Sequence, residues 1–283
     1  MKNFFNSNKN YDYIDETLLN APKKEPKVKF FVTDDALGYD TLQSVKVEIN
    51  RLKTLQLDTG TLDIDAITIK EEDWINNFKK HFKPLHIGKN IVVRPSWEDY
   101  NKKQNQIVFT IEPGHLFGTG MHQSTQLCIE MLEKYINNKS NLLDIGCGTG
   151  ILSIIAKLLG ANAVVAVDIE KAANKIVKEN MAINNVADIE IYTGDLLDDK
   201  ELAHKLLAAG QYNIITINIV ANIIISMLDF ISNALKNSKN IIIASGIIDE
   251  RTSDVLEAFA NYNFDILEVV EKDNWVCIVG AKI

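Results

Sequence analysis

Cysteine is scarce in this sequence, with three in 283 residues, at Cys128, Cys147 and Cys277. They lie far apart, form no Cys-x-x-Cys and have no paired histidine ligands, which argues against a disulfide framework or a structural zinc site. No metal is expected, and a reducing cytoplasm is the expected compartment. Long apolar runs are also missing. The longest, near Ile214–Ile225, is broken by Asn218 and Asn222 and falls short of a membrane span. The start, Met1-Lys2-Asn3-Phe4-Phe5-Asn6, has no signal-peptide core, so no membrane is expected. Positive charge is in deficit. The net charge is −8 and the first stretch, up to roughly residue 85, is balanced, so no basic arm is present to grip nucleic acid. A protein or small-molecule partner is expected, with no direct nucleic-acid contact. No feature of the sequence speaks to oligomeric state.

The hydrophobic fraction of 46% suffices for one large domain and a smaller one. Up to about Lys83 the chain is polar with short elements. Lys27–Thr33 and Leu62–Lys70 read as strands, and Asp40–Leu55 places Leu42, Val45, Val47, Ile49 and Leu52 at mixed helical spacing. A linker follows around Lys83-Pro84-Leu85-His86-Ile87-Gly88. Strands then alternate with helices. Strands are expected at Leu142–Ile145, Ala163–Val167, Ile189–Thr193, Tyr212–Ile219 and Asn240–Ser245. Helices are expected at Gly150–Leu159, Lys171–Asn184, Lys200–Ala209, Ile223–Lys236 and Asp249–Ala260. Two final strands, Ile266–Glu271 and Trp275–Ala281, flank the turn Lys272-Asp273-Asn274. Alternation of this kind implies an α/β fold, a doubly wound, Rossmann-like parallel sheet with a terminal antiparallel hairpin.

The clearest motif is Leu142-Leu143-Asp144-Ile145-Gly146-Cys147-Gly148-Thr149-Gly150 before an apolar helix. Glycines at a strand-to-helix turn let backbone approach a ligand, and the helix start offers unpaired N–H groups. A dinucleotide fingerprint needs a small third residue, but Ile151 stands three positions after Gly148. The pattern is instead Asp-x-Gly-x-Gly-x-Gly, the form found in S-adenosylmethionine enzymes. Asp168 ends the next strand some twenty residues on, where a carboxylate accepts from ribose hydroxyls. Gly194-Asp195 follows the third strand, and Asp195 is a candidate acceptor for an adenine amine, equally readable as a turn aspartate. Cys147, inside the loop, reads as a small filler with no histidine beside it.

Upstream, Glu112-Pro113-Gly114-His115-Leu116-Phe117-Gly118-Thr119-Gly120-Met121-His122-Gln123-Ser124-Thr125 carries too many glycines and histidines for a plain connection. The helix expected at Gln126–Tyr135 has Ser124 or Thr125 as its candidate cap. This string resembles the signature of ribosomal protein methyltransferases of the PrmA family, which modify the eleventh protein of the large subunit. The resemblance extends over Trp74–Trp97, the glycine loop, Asn218-Ile219-Val220-Ala221, Ala244-Ser245-Gly246-Ile247 and Asn274-Trp275-Val276.

The resemblance implies a class I methyltransferase fold, a seven-stranded sheet with a small α+β amino-terminal domain, and S-adenosyl-L-methionine as methyl donor. It implies a substrate-recognition domain over residues 1–83, a linker and lead-in over 84–110, and the catalytic domain over 111–283. Cofactor contacts fall on Thr125, Gly146, Asp168 and Asn218, with Gly148 in the same loop. A ribosomal protein is the implied substrate, methylated on a lysine side chain, an N-terminal amine or both. Met121 and Gln123 replace the family's usual threonine and proline. The family's first strand, helix and strand find no counterpart before Asp12, so a shortened amino-terminal domain is expected.

Methyl transfer to an amine is an in-line displacement that rests on positioning and desolvation. Asn218, at the end of the fourth strand, is a candidate to accept from the incoming amine, and His122 a tentative proton acceptor. His115 and His122 also read as loop-shaping residues, and Trp74, Trp97 and Trp275 as packing. Two alternatives stand. One is a nucleobase or glutamine-amide N-methyltransferase, disfavoured because Asn218-Ile219-Val220-Ala221 lacks the prolines and aromatic that would sandwich a flat group. The other is a non-catalytic ribosome-assembly protein that kept the fold.

Overall fold

The computed structural model describes residues 36–53, 62–64, 82–112, 118–210, 212–235 and 237–283. The strand expected at Lys27–Thr33, most of Leu62–Lys70, Trp74 and His115 lie outside the described residues. The chain divides into two compact units, Met1–His81 and Phe82–Ile283. In the first, helix α1 spans Ala36–Lys53. Leu42, Val45, Ile49 and Leu52 form its half-buried stripe, whereas Val47 falls off the stripe and is 65% exposed.

The second unit opens with a sheet of three strands, β1 (Leu85–Ile87), β2 (Ile91–Pro95) and β3 (Ile107–Ile111), in the order β1-β2-β3. The segment read as a linker and lead-in therefore carries regular structure. Its strands are three to five residues long, too short for alternation to register.

The main body alternates helices with strands. Helix α2 (Gln123–Tyr135) precedes β4 (Asn141–Ile145), followed by α3 (Ile151–Leu158) and β5 (Ala163–Asp168). Next come α4 (Lys171–Ile183), β6 (Ile189–Thr193), α5 (Lys200–Ala209) and β7 (Ile214–Asn218). The chain ends with α6 (Ala221–Ala234), β8 (Ile241–Ile248), α7 (Thr252–Asn261), β9 (Phe264–Lys272) and β10 (Trp275–Lys282). The seven strands lie in the order β6-β5-β4-β7-β8-β10-β9, parallel except for β10, which runs antiparallel to β8 and β9.

The central strands are apolar because helices cover both faces. Leu142, Leu143, Ile215, Ile217, Ile242 and Ile243 are fully buried. The last hairpin closes through Asp273 and Asn274, both at positive φ, as a two-residue turn between twisted strands requires. β8 runs three residues beyond the expected Ser245, because Ile247 and Ile248 pair with Val276 and Trp275 of β10. The winding reverses between β4 and β7, which are neighbours although β5 and β6 lie between them in sequence. In such sheets a crevice opens at the carboxyl ends of the strands that flank the reversal.

Candidate functional site

At the end of β4 the chain turns through Gly146, Gly148 and Gly150, with φ of +73°, +53° and +79°. A Cβ at Gly146 would lie 2.9 Å from Ile219 Cγ2, and one at Gly150 2.8 Å from Val177 Cγ1, so side chains are excluded on two sides. Gly146 N and Cys147 N both donate to the Val167 carbonyl at 2.9 and 3.1 Å, which hangs the loop on β5. Asn180, buried in α4, donates to the Thr149 carbonyl at 2.9 Å. Gly150 caps α3 with no side-chain acceptor, so no cap side chain takes up the first-turn N–H groups.

Asp168, at the end of β5, meets this loop directly. Its Oδ2 accepts from Gly148 N at 2.7 Å and its Oδ1 from Glu170 N at 2.8 Å. Each carboxylate oxygen keeps further acceptor capacity for a diol. Asp195 lies past the end of the neighbouring β6, and its Oδ1 accepts from Leu197 N at 2.9 Å in a tight Asx turn. Ile169 and Leu197 follow the two aspartates and are 62% and 41% exposed. Such exposed apolar side chains suit a flat ring, and neither was singled out in the sequence, where each reads as an ordinary core residue.

The third part of the site joins β7 to α2. Asn218 Nδ2 donates to Thr125 Oγ1 at 3.2 Å, bringing together two expected site residues separated by 93 positions. Asn218 Oδ1 is buried and has no partner among the described residues. Ile219 N donates to the Ser245 carbonyl at 3.1 Å. Beneath this turn Gly246 takes φ +84°, and a Cβ there would stand 2.4 Å from the Ile219 carbonyl oxygen. The Asn218 turn therefore seats directly on Gly246.

The cap of α2 is His122, not Ser124 or Thr125, and the helix starts at Gln123. The His122 side chain accepts from Ser124 N, with Nδ1 3.3 Å away, and its ring meets Trp275 edge-on at 4.5 Å. Burial lowers its pKa from 6.5, which keeps the ring neutral at neutral pH. Thr125 thus falls inside the first turn, free of capping duty and turned toward Asn218. Cys147 is buried, and burial first, then Asp144 and Asp168, pushes its thiol well above the usual range. Such a thiol is a packing group.

The leading aspartate of the glycine motif has a role that the motif alone does not assign. Asp144, the penultimate residue of β4, is 1% exposed. Ser153 Oγ donates to its Oδ2 at 2.6 Å and Thr216 Oγ1 to its Oδ1 at 2.8 Å. One buried carboxylate therefore binds α3, β4 and β7 together beneath the loop. The available signal was an aspartate following two leucines and preceding an isoleucine, a charged residue inside an apolar run.

Comparison with known proteins bears on this geometry. A family model described as "Ribosomal protein L11 methyltransferase (PrmA)" matches residues 6–283. A ribosomal protein L11 methyltransferase of Clostridium perfringens (strain SM101 / Type A) is 38% identical over 270 residues, covering 95% of this chain and 83% of its own length. A second Clostridium perfringens strain has a counterpart 37% identical over the same span. Among crystal structures, the ribosomal protein L11 methylase of Lactobacillus delbrueckii subsp. bulgaricus aligns with a TM-score of 0.64 at 28% identity. It covers 71% of this chain and 100% of its own.

Proposed function

Because the chain belongs to the ribosomal protein L11 methyltransferase (PrmA) family, we propose that it methylates amino nitrogens of ribosomal protein L11, using S-adenosylmethionine. The acceptor nitrogens are a lysine side chain, the N-terminal amine or both. When bound, the donor supplies an electrophilic methyl carbon and a thioether leaving group. The residues present fit it. The glycine turn and the α3 start give close backbone access, and Asp168 takes the ribose hydroxyls. Asp195 would accept from the adenine amine, the exposed side chains of Ile169 and Leu197 would face the ring, and Thr125 would hold the methionine end.

A single observation carries the reading, the buried and unpartnered oxygen of Asn218 at the carboxyl end of β7. Thr125 fixes the amide by its nitrogen and leaves the oxygen as an acceptor for an N–H group. An amine hydrogen-bonded there points its lone pair away from Asn218, into the crevice where the donor would be held. An ordinary lysine ammonium has a pKa near ~10.4 and has no lone pair until it loses a proton. Leaving water for this crevice lowers that pKa, and the proton departs to solvent. His122 accepts at Nδ1 to cap α2 and holds the helix.

Among the described residues no helix is long and apolar enough to cross a membrane, and no group of acidic, histidine or cysteine side chains is arranged to hold a metal. A ribosomal protein substrate supports a cytoplasmic activity, and a net charge of −8 supports one without direct nucleic-acid contact. The test is incubation of the purified protein with labelled S-adenosylmethionine and total ribosomal protein, followed by mass mapping. Label is expected on amines of L11. Asn218→Ala is expected to lower turnover more than cofactor affinity. Label on ribosomal RNA, or on no ribosomal protein, rejects the proposal, and equal losses in turnover and affinity reject the role of Asn218.

A further inference from the structure

The tip of the β9–β10 hairpin reaches the amino end of α2 through contacts that the methyl-transfer chemistry does not itself require. Lys272, the last residue of β9, donates from Nζ to Gln126 Oε1 at 2.8 Å and stands 3.8 Å from Glu130. Gln126, buried in the first turns of α2, donates from Nε2 to the Met121 carbonyl at 2.8 Å. Gln123 Nε2 reaches Asp273 Oδ2 at 3.2 Å, and the Trp275 ring meets His122. At the other end of the same short segment, Thr149 Oγ1 of the glycine loop donates to the Gly118 carbonyl at 2.7 Å.

The orientation of Gln126 follows from donor chemistry. An ammonium only donates, so the amide oxygen must face Lys272 and the amide nitrogen must face Met121. The flipped amide would set oxygen against carbonyl oxygen and nitrogen against ammonium. The Met121 side chain is 45% exposed, so its own burial does little to fix the backbone there. Four residues on is Thr125, which holds Asn218.

We propose that Lys272 and Gln126 are positioning residues for methyl transfer, a relay by which the hairpin tip fixes the entry of α2 and thereby Thr125 and Asn218. The relay rests on the methyltransferase reading above. Neither residue touches the reacting atoms. Lys272 acts through its short bond to Gln126, beside a longer ion pair to Glu130, and Gln126 acts through the Met121 carbonyl.

The test compares Lys272→Met, Lys272→Arg, Gln126→Leu and the double variant Lys272→Met/Gln126→Leu, in the full chain. Three measurements are made: kcat on ribosomal protein, S-adenosylhomocysteine affinity by calorimetry, and melting temperature. Lys272→Met and Gln126→Leu are each expected to lower kcat by about tenfold, the loss of one charge-assisted hydrogen bond's worth of positioning. Lys272→Arg keeps a donor and is expected to stay within about threefold of the parent. The double variant is expected to fall no further than the worse single one, because both break one chain. Independent, multiplying losses overturn the relay. So does a loss shared by Lys272→Arg, or one that tracks a fall in melting temperature. A parent protein that neither binds S-adenosylhomocysteine nor methylates ribosomal protein sinks the methyltransferase reading itself, whereas an active parent with unchanged variants sinks only the relay.

Discussion

At about pH 8 the Asp144→Asn variant should be more stable than the parent by up to about 3 kcal/mol, and the two should converge near pH 4. Asp144 is fully buried, and although Ser153 and Thr216 donate to it, desolvation outweighs those bonds and raises its pKa from 3.8 to about 6. Each tenfold change in proton affinity is worth about 1.4 kcal/mol, so the difference corresponds to about 3 kcal/mol. Folded protein holds this proton more tightly than unfolded chain. The contribution of Asp144 to stability is therefore most favourable below 3.8, declines as pH rises toward about 6, and stays at its lower value above. Asparagine keeps the shape and cannot ionise. Its oxygen accepts from one hydroxyl and its nitrogen donates to the other. Urea unfolding of both proteins across this range, at matched slopes, reads the difference directly. Parallel stability curves would refute the claim that an ionised carboxylate is held in the core. A second readout concerns the ligand. An ionised Asp144 favours a cation above it, so the variant should lose more affinity for the sulfonium S-adenosylmethionine than for neutral S-adenosylhomocysteine.

Two other substitutions probe the site. Asp168→Ala removes both the ribose acceptor and the bond that holds Gly148, and should weaken S-adenosylhomocysteine by about a hundredfold or more in calorimetry. Unchanged affinity would show that the carboxylate serves the loop alone. Gly246→Ala should cost about 1–3 kcal/mol of stability and lower turnover, since the new methyl would meet the Ile219 carbonyl at 2.4 Å in a left-handed backbone. A melting temperature and kcat equal to the parent's would show that the Asn218 turn does not need its seat on Gly246.

Much of the sheet was legible because periodicity and turn chemistry are local. β4 to β7 and their helices fall within two residues of expectation, with the largest offsets at β7, which starts two residues late because Tyr212 and Asn213 lie before its ladder, and at α6, which starts two residues early. β8 was cut short at Ser245 because Gly246 reads as a stop, yet Ile247 and Ile248 continue the ladder with β10. The start of α2 was misplaced because a histidine, which is not among the preferred cap residues, takes that role. In the site, the glycine loop and Asp168 are one local pattern. The pairs Asn218–Thr125, Asp144–Thr216 and Lys272–Gln126 span 93, 72 and 146 positions. No periodicity reports a contact at such separation. The first of these pairs was reachable only by family resemblance, and the other two by no signal in one sequence.

Two costs sit side by side in this sheet. An unpartnered buried acceptor such as Asn218 Oδ1 costs about 1–3 kcal/mol relative to a satisfied one, and ionised Asp144 costs a similar amount. The two residues occupy β4 and β7, the adjacent strands at which the winding reverses, and Thr216, two residues before Asn218, links the strands by donating to Asp144. A fold under selection for stability alone would not concentrate unfavourable polar groups at its own centre. Their placement makes sense if a ligand relieves both at once, with a cation facing the carboxylate and an N–H group facing the amide oxygen. A sulfonium donor and an amine acceptor together supply that pair, whereas a dinucleotide, with its anionic pyrophosphate, would worsen the first cost and leave the second in place.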